Sequence, residues 1–430
     1  MSLKYGEIIK QMSLEEKALM MSGKNTWETV DFEKYGIPSM AMSDGPHGLR
    51  RQAGAGDHLG LNASLPATCF PTAATIANSW DEKLGEEIGT ALAEEAVTMD
   101  VNVILGPGLN IKRSPLCGRN FEYFSEDPYH AGKMAAAYVK GIQSKGISAC
   151  PKHFAANSQE LRRMASDSVV DERTFREIYT TGFEIAVKEG KSKSIMSSYN
   201  EVNGVYANEN RHMLQEILVD EWGFDGIVLS DCGAIADFYR DNGHKTHPDA
   251  ESASAAAVLS GTDLECGSSY EALVEAVKQG KIDEKAVDVA VKRLLTARFA
   301  LGEMDEPEKV SWTGIPFSVV ASAGHDSLAL DMARKSMTLL MNKDNTLPLK
   351  RGGLTIAVMG PNANDSVMQW GNYNGIPAHT VTLLEAVRAK LPEGQIIYEP
   401  GCDRVDGKTL QSLFDECSIN GKPGFLAEYW

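Results

Sequence analysis

Seven polar side chains stand at, or just past, the ends of short apolar runs: Asp44, Lys152, His153, Tyr199, Asn200, Asp231 and Asp263. Asp231 is the sharpest case. It closes Gly226-Ile-Val-Leu-Ser230 inside Glu221–Ala234, EWGFDGIVLSDCGA. A carboxylate at the end of a buried strand is costly to desolvate unless something uses it. The plain alternative is a cap on the following helix. Around these residues the chain also supplies Arg119 and Arg163. Such a set, converging on one pocket, suits a neutral polyhydroxylated ligand, and cations beside Asp231 give counter-charge to a carboxylate nucleophile. The chemistry that fits is retaining glycoside hydrolysis, in which a second carboxyl stands about 5–5.5 Å from the nucleophile. Asp44 and Glu265 are available for that role, and each also has a substrate-binding or structural reading. Lys152 permits a different class, a Schiff-base lyase. His153 could equally be a satisfied core histidine, and Arg51, Arg162 and Glu122 read as surface or supporting groups.

These residues need strands to hold them. Ile37–Ser43, Pro71–Ala77, Val101–Leu105, Gly146–Cys150, Ser194–Ser198, Gly226–Ser230 and Val258–Asp263 read as strands. Between them lie helical stretches, one opened by a Ser79-x-x-Glu82 capping box and one capped by Asp171. Alternation of this kind over about 300 residues predicts a parallel sheet with outer helices. No GxGxxG or GxxxxGK[ST] favours a nucleotide-binding open sheet. Reactive side chains at the carboxyl ends of strands favour a barrel. The fold class is therefore α/β: a (β/α)8 TIM-like barrel over 1–305, a linker over 306–326, and an α/β sandwich over 327–420 that lacks its later part. The sandwich is expected to contain strands at Met337–Met341, Leu354–Met359 and Gln395–Tyr398, with a helix over Thr382–Leu391. Residues 421–430 read as the opening of a further β-rich module.

Composition narrows the partners. The net charge is −17 over 430 residues, which repels phosphates and argues against nucleic acid and anionic membrane. No signal peptide or long apolar run is visible. The seven cysteines are odd in number, scattered and never spaced CxxC, so the expectation is reduced thiols in the cytoplasm, with no metal site and no cofactor.

Several strings carry a resemblance: MSDGPHGLR (42–50), GPGLNIKRSPLCGRNFEYFSEDP (106–128), CPKHFAANSQELRRM (150–164), SIMSSYNEVNG (194–204) and GFDGIVLSDCGA (223–234). Together they resemble glycoside hydrolase family 3, the β-glucosidase and β-xylosidase family. The resemblance implies Asp231 as nucleophile, and Asp44, Arg50, Arg119, Lys152, His153, Arg163 and Tyr199 as ligands of the cleaved sugar. It also implies a barrel followed by a sandwich whose loop carries the acid/base glutamate, here expected beyond residue 430. A remaining C-terminal segment or a second chain is therefore an expected partner, alongside a β-linked saccharide substrate and a homo-oligomer. The FLAEYW ending resembles the start of an inserted protective-antigen-type module. Lys152-His-Phe-Ala-Ala-Asn-Ser158 departs from the KHFPGHG-like loop of the N-acetylglucosaminidase branch. Asp44 and its neighbours resemble β-glucosidases. Ser-Asp-Cys232, Glu-Cys266-Gly and Gly371-Asn-Tyr-Asn-Gly375 read more like β-xylosidases. Weighting Asp44 most, the expected activity is release of terminal β-D-glucose, with a β-xylosidase or a non-catalytic sugar-binding fragment as alternatives.

Overall fold

The computed structural model describes residues 2–57, 60–350, 353–402, 418–419 and 421–423. The chain divides into two compact units, Met1–Leu340 with Trp370–Ala378, and Met341–Gln369 with His379–Trp430.

The first unit is built on short parallel strands of an α/β fold. β1 (Met42–Ser43) pairs with β2 (Val103–Ile104), and β2 with β3 (Ser148–Ala149). β4 (Ser194–Met196) pairs with β5 (Ile227–Leu229), in register Ser194↔Ile227 to Met196↔Leu229. Single bridges extend the ladder, Phe154↔Ser197 on one side and Leu229↔Leu264 on the other. Both faces of these strands are buried, as parallel strands with helices outside require. Alternate residues feed two apolar clusters. Ile104, Ala149, Ile195 and Val228 join the helices Glu82–Thr98, Pro128–Gln143 and Thr181–Lys188. Val103, Cys150, Met196, Ile227 and Leu229 join the helices Ala250–Ser260 and Glu284–Ala300.

Three local expectations change. Pro71–Ala77 is not a strand; Ala73–Ala77 is a helical turn, opened by Thr72 in extended conformation. The helix after Ser79 is capped by Asp81, which accepts from Leu84 N–H, because Ser79 is already bonded to Ile76 and Asp81. Val258–Ser260 ends a helix rather than opening a strand. Gly261 terminates that helix at φ 113°, a conformation that glycine adopts without strain. The extended segment begins later, and Leu264 is the residue that pairs.

Residues 306–326 contain two short 3-10 turns, Pro307–Lys309 and Phe317–Val319, and the helix Ala323–Lys335 follows. The expected strand at Met337–Met341 is irregular, with Met337, Leu340 and Met341 exposed. In the second unit, β6 (Thr355–Met359) and β7 (Gln395–Glu399) pair in parallel along five residues. Between them in sequence, Leu383–Lys390 forms a helix with a Thr382/Glu385 capping box. Val358, Ala363 and Leu384 make the buried core of this unit. Ser418–Ile419 and Lys422–Pro423 form a small antiparallel pair. Most of the 421–430 segment lies outside the described residues.

Candidate active site

A cavity of about 140 Å³ opens at the carboxyl ends of β1, β3, β4 and β5. Its wall is made by Asp44, Leu105, Arg119, Lys152, His153, Arg163, Met196, Tyr199, Asp231, Cys232 and Tyr373. The volume lies below the roughly 300–1,000 Å³ of drug-sized sites, so the guest is small. A larger cavity, about 370 Å³, lies at the amino ends of β2 and β3, lined by Val101, Gly146, Leu301 and Trp312 among others. It has no comparable set of cations and carboxylates, so chemistry rather than volume selects the smaller one.

Asp44 holds one side of the wall. Its Oδ2 accepts from Arg50 Nη2 at 2.8 Å, and its Oδ1 accepts from Lys152 Nζ at 3.3 Å. Glu122, fully buried, pairs with Arg119 and approaches Lys152 Nζ at 3.8 Å. Burial alone would lower the Lys152 pKa, but the carboxylates of Asp44 and Glu122 outweigh it and raise it, so the ammonium stays charged.

Asp231 stands across from this group. Its Oδ2 accepts from Arg163 Nη2 at 2.5 Å, and its Oδ1 accepts from Cys232 N–H at 2.8 Å. Arg163 lies over the Tyr199 ring, 4.6 Å from its centroid, a cation–π contact. The Tyr199 hydroxyl donates to the Cys232 carbonyl. His153 Nε2 is 3.6 Å from Asp231 Oδ2, but this is not a charge pair. Burial, reinforced by Arg163, Arg119 and Lys152, takes the imidazole pKa well below its ordinary value, so the ring is neutral. Its position is fixed by two bonds between its backbone and the Asn110 side chain, each 2.8 Å, and by Tyr123 OH at Nδ1, 3.3 Å.

The structure thus brings Asp44, Arg119, Lys152, His153, Arg163, Tyr199 and Asp231 onto one wall, with Arg50 behind Asp44. It separates Asp263, whose carboxylate accepts from Val228 N–H and Arg293 inside the fold. Asn200 bonds backbone oxygens nearby. Glu265 is buried below the wall and accepts from Tyr270 N–H. Glu265 is therefore unsuited to be the second carboxyl, and Asp44 is occupied by two cations. Among the described residues the wall offers no further carboxyl.

Of the two readings open for Glu122, a surface or a supporting group, the structure gives the second: it is a buried counter-ion of Arg119 and Lys152. One residue, Tyr373, escaped the sequence reading. Tyr373 lies with its ring 4.5 Å from Lys152 Nζ and 5.0 and 5.2 Å from the Arg50 and Arg119 guanidinium carbons. Its signal lay in the Gly371-Asn-Tyr-Asn-Gly375 string, which the sequence reading used for sugar preference and not for a side chain of the site. That loop is close because Gly48 and Gly375 touch: a Cβ on Gly48 would stand 2.5 Å from Gly375 N.

The cysteines also differ from expectation. Cys232 and Cys266 are joined in a disulfide, while Cys69, Cys117, Cys150 and Cys402 are free. The pair are 34 residues apart in sequence, and no spacing motif announces them; they meet because two parallel strand ends lie side by side. No group of three or more metal-ligating side chains occurs among the described residues. None of the helices described is long and apolar enough to cross a membrane.

A fold of buried parallel strands ending in carboxylates, guanidinium groups and an ammonium is that of an α/β protein with a sugar-sized polar pocket. The profile of the glycosyl hydrolase family 3 N terminal domain matches residues 4–297, and that of the family's C-terminal domain matches 337–419. The chain belongs to glycosyl hydrolase family 3. It is 47% identical over 364 residues to the thermostable beta-glucosidase B of Acetivibrio thermocellus, covering 84% of this chain and 45% of that protein. It is 37% identical over 441 residues to a xylan 1,4-beta-xylosidase of Xylanibacter ruminicola, covering 99% and 50%. The solved beta-glucosidase 3B of Thermotoga neapolitana in complex with glucose superposes with a TM-score of 0.77 at 32% identity, over 91% of this chain and 55% of that one. The chain spans about half the length of the curated relatives it matches.

Proposed function

We propose that this chain is the catalytic part of a retaining, exo-acting glycoside hydrolase that removes terminal non-reducing β-D-glucose through a covalent glycosyl–Asp231 intermediate. The observation that carries this reading is the opposition of two carboxylates across one small cavity. Asp44 is gripped by Arg50 and Lys152, while Asp231 is held by Arg163 and the Cys232 N–H, with a neutral His153 at 3.6 Å and Tyr199 beside it. The first arrangement suits a hydroxyl-binding group and the second a nucleophile. In the reaction Asp231 attacks the anomeric carbon as the aglycone oxygen leaves with a proton, and water then releases the sugar. Arg119, Lys152, His153 and Tyr199 hold the ring's hydroxyls. The proton donor comes from outside the described residues, on a C-terminal segment or a second chain, because no wall carboxyl is left for it. A (β/α)8 TIM-like barrel over 1–305, followed from 327 by an α/β sandwich, is the scaffold of this proposal. The parallel pairings and the gathering of site residues at strand ends support the barrel. The cytoplasmic setting expected from reduced thiols loses its support to the Cys232–Cys266 disulfide, and a homo-oligomer completes the proposal.

Lys152 is a poor Schiff-base nucleophile, since its amine is kept protonated. Glucose is preferred to xylose because Asp44, with two cations, is built to satisfy an additional hydroxyl. Incubation with 2-fluoro-β-glucoside and 2-fluoro-β-xyloside inactivators, followed by peptide mass mapping, tests both points. The expected result is a label on Asp231, formed faster by the glucoside. A label on another residue overturns the nucleophile, and faster inactivation by the xyloside overturns the sugar.

A further inference from the structure

The disulfide lies where strand pairing runs out beside Asp231. Past the Leu229↔Leu264 bridge, Ser230 N–H donates to Leu264 O at 2.9 Å and Gly233 N–H to Cys266 O at 2.7 Å. Cys266 N–H donates to Ser230 Oγ at 3.0 Å. The Cys232–Cys266 bond completes this ladder, with Cα atoms 4.5 Å apart. The Cys266 end is pinned to the rest of the unit. Glu265 N–H donates to Met21 O at 2.9 Å, and Gly23 N–H to Gly267 O at 2.7 Å. The Cys232 end is part of the site. Its N–H bonds Asp231 Oδ1, its carbonyl accepts from Tyr199, and its side chain is half-buried on the cavity wall.

We propose that the Cys232–Cys266 disulfide is a positioning device for Asp231, so that the reactivity of this carboxylate depends on the redox state of that one pair. The inference rests on the reading of Asp231 as nucleophile. Cys232 orients Asp231 through its N–H and holds Tyr199, which in turn lies beneath Arg163. Anchoring its sulfur to Cys266 keeps these contacts in one place. A small dithiol reaching the cavity breaks the bond: two electrons and two protons pass to the cysteines, giving two thiols, and the dithiol closes to its own cyclic disulfide. The segment after Asp231 then keeps its hydrogen bonds and packing but loses its covalent link to Cys266. Asp44 is held by Arg50 and Lys152 rather than by either cysteine, so the grip on that side does not depend on the disulfide.

The test compares the full chain oxidised, reduced by dithiothreitol, and reoxidised, together with Cys266→Ser. The readouts are the first-order rate of labelling by a 2-fluoro-β-glucoside and the Ki of glucose. A misplaced nucleophile predicts labelling about 10–100-fold slower after reduction, with the glucose Ki weakened by a clearly smaller factor, since Tyr199 is disturbed while Asp44, Arg50 and Lys152 keep their contacts, and recovery on reoxidation. Cys266→Ser should be slow throughout and insensitive to dithiol, which excludes the free cysteines as the source. If that variant does not fold, the wild-type series decides alone. Equal labelling rates in oxidised and reduced protein, with mass spectrometry confirming that the bond is broken, overturn the inference. So does a parallel loss of rate and glucose affinity, which marks general loosening. Absence of any label at Asp231 in the oxidised protein overturns the functional reading itself, a distinguishable failure.

Discussion

The parallel strands of the two units are used in opposite ways. In the first unit they are two or three residues long, buried on both faces, and they end in charged groups that are almost wholly enclosed. In the second unit β6 and β7 are longer, five residues each, yet most of their side chains are exposed or half-buried, including Met359 and Ile397. Strand length is therefore a poor guide to importance. What distinguishes the units is how much surrounds each strand. Dense surroundings let the first unit hold buried ions in fixed geometry, with Asp44 paired to Arg50 and Lys152 and Asp231 to Arg163. The second unit, with three buried apolar residues at its centre, holds no such network among the described residues.

The largest effect expected from this contrast is on chemistry. Asp231→Asn should slow hydrolysis of a dinitrophenyl β-glucoside by at least about 10³-fold, close to 4 kcal/mol of transition-state stabilisation, with the melting temperature little changed. Retained activity would remove the first unit's claim to the site. Next, Lys152→Met leaves the buried Glu122 and Asp44 short of a cation, and should cost about 3 kcal/mol of stability in denaturant unfolding. A loss of only a few tenths would mean that the ions are solvated after all.

A third effect is read through pH. Burial raises the Glu265 carboxyl from 4.5 to about 7, against the opposing hydrogen bond from Tyr270 N–H. A raised carboxyl favours the protonated folded form, so this stabilisation is full below about pH 4.5 and is lost as pH rises through 7. The change is on the order of 1–3 kcal/mol. Glu265→Gln should flatten that part of the stability–pH curve; an unchanged slope would show that Glu265 is not its source. In the second unit, Leu384→Ala should cost about 2 kcal/mol, the low end for a leucine, because so shallow a core has little to lose. Hydrogen exchange would show the loss at β6 and β7 amides and leave β5 unaffected. Protection lost in β5 as well would dissolve the contrast between the units.

Legibility followed the same division. The strands at Val103–Ile104, Ser194–Met196 and Ile227–Leu229 lie inside the apolar runs that announced them, since burial on both faces forces a continuous apolar signal. The helix Leu383–Lys390 was visible through its capping residues. Met337–Met341 has an equally apolar pattern but no ladder, because a strand needs a neighbour as well as a sequence. Val258–Ser260 misled for a related reason: a helix buried on several sides carries the same kind of short apolar run as a strand.

For this protein the amino-acid order by itself determined which residues end strands, and hence that Asp44, Lys152, His153, Tyr199 and Asp231 could share one mouth, because hydrophobic period and strand ends are local properties. Only the tertiary structure decided which cations pair with Asp44 and which with Asp231, that Glu122 is buried against Arg119 and Lys152, that Tyr373 joins the wall, and that Cys232 meets Cys266. Those outcomes depend on distances between segments far apart in the chain, and neither charge pairing nor a disulfide is encoded in any local pattern.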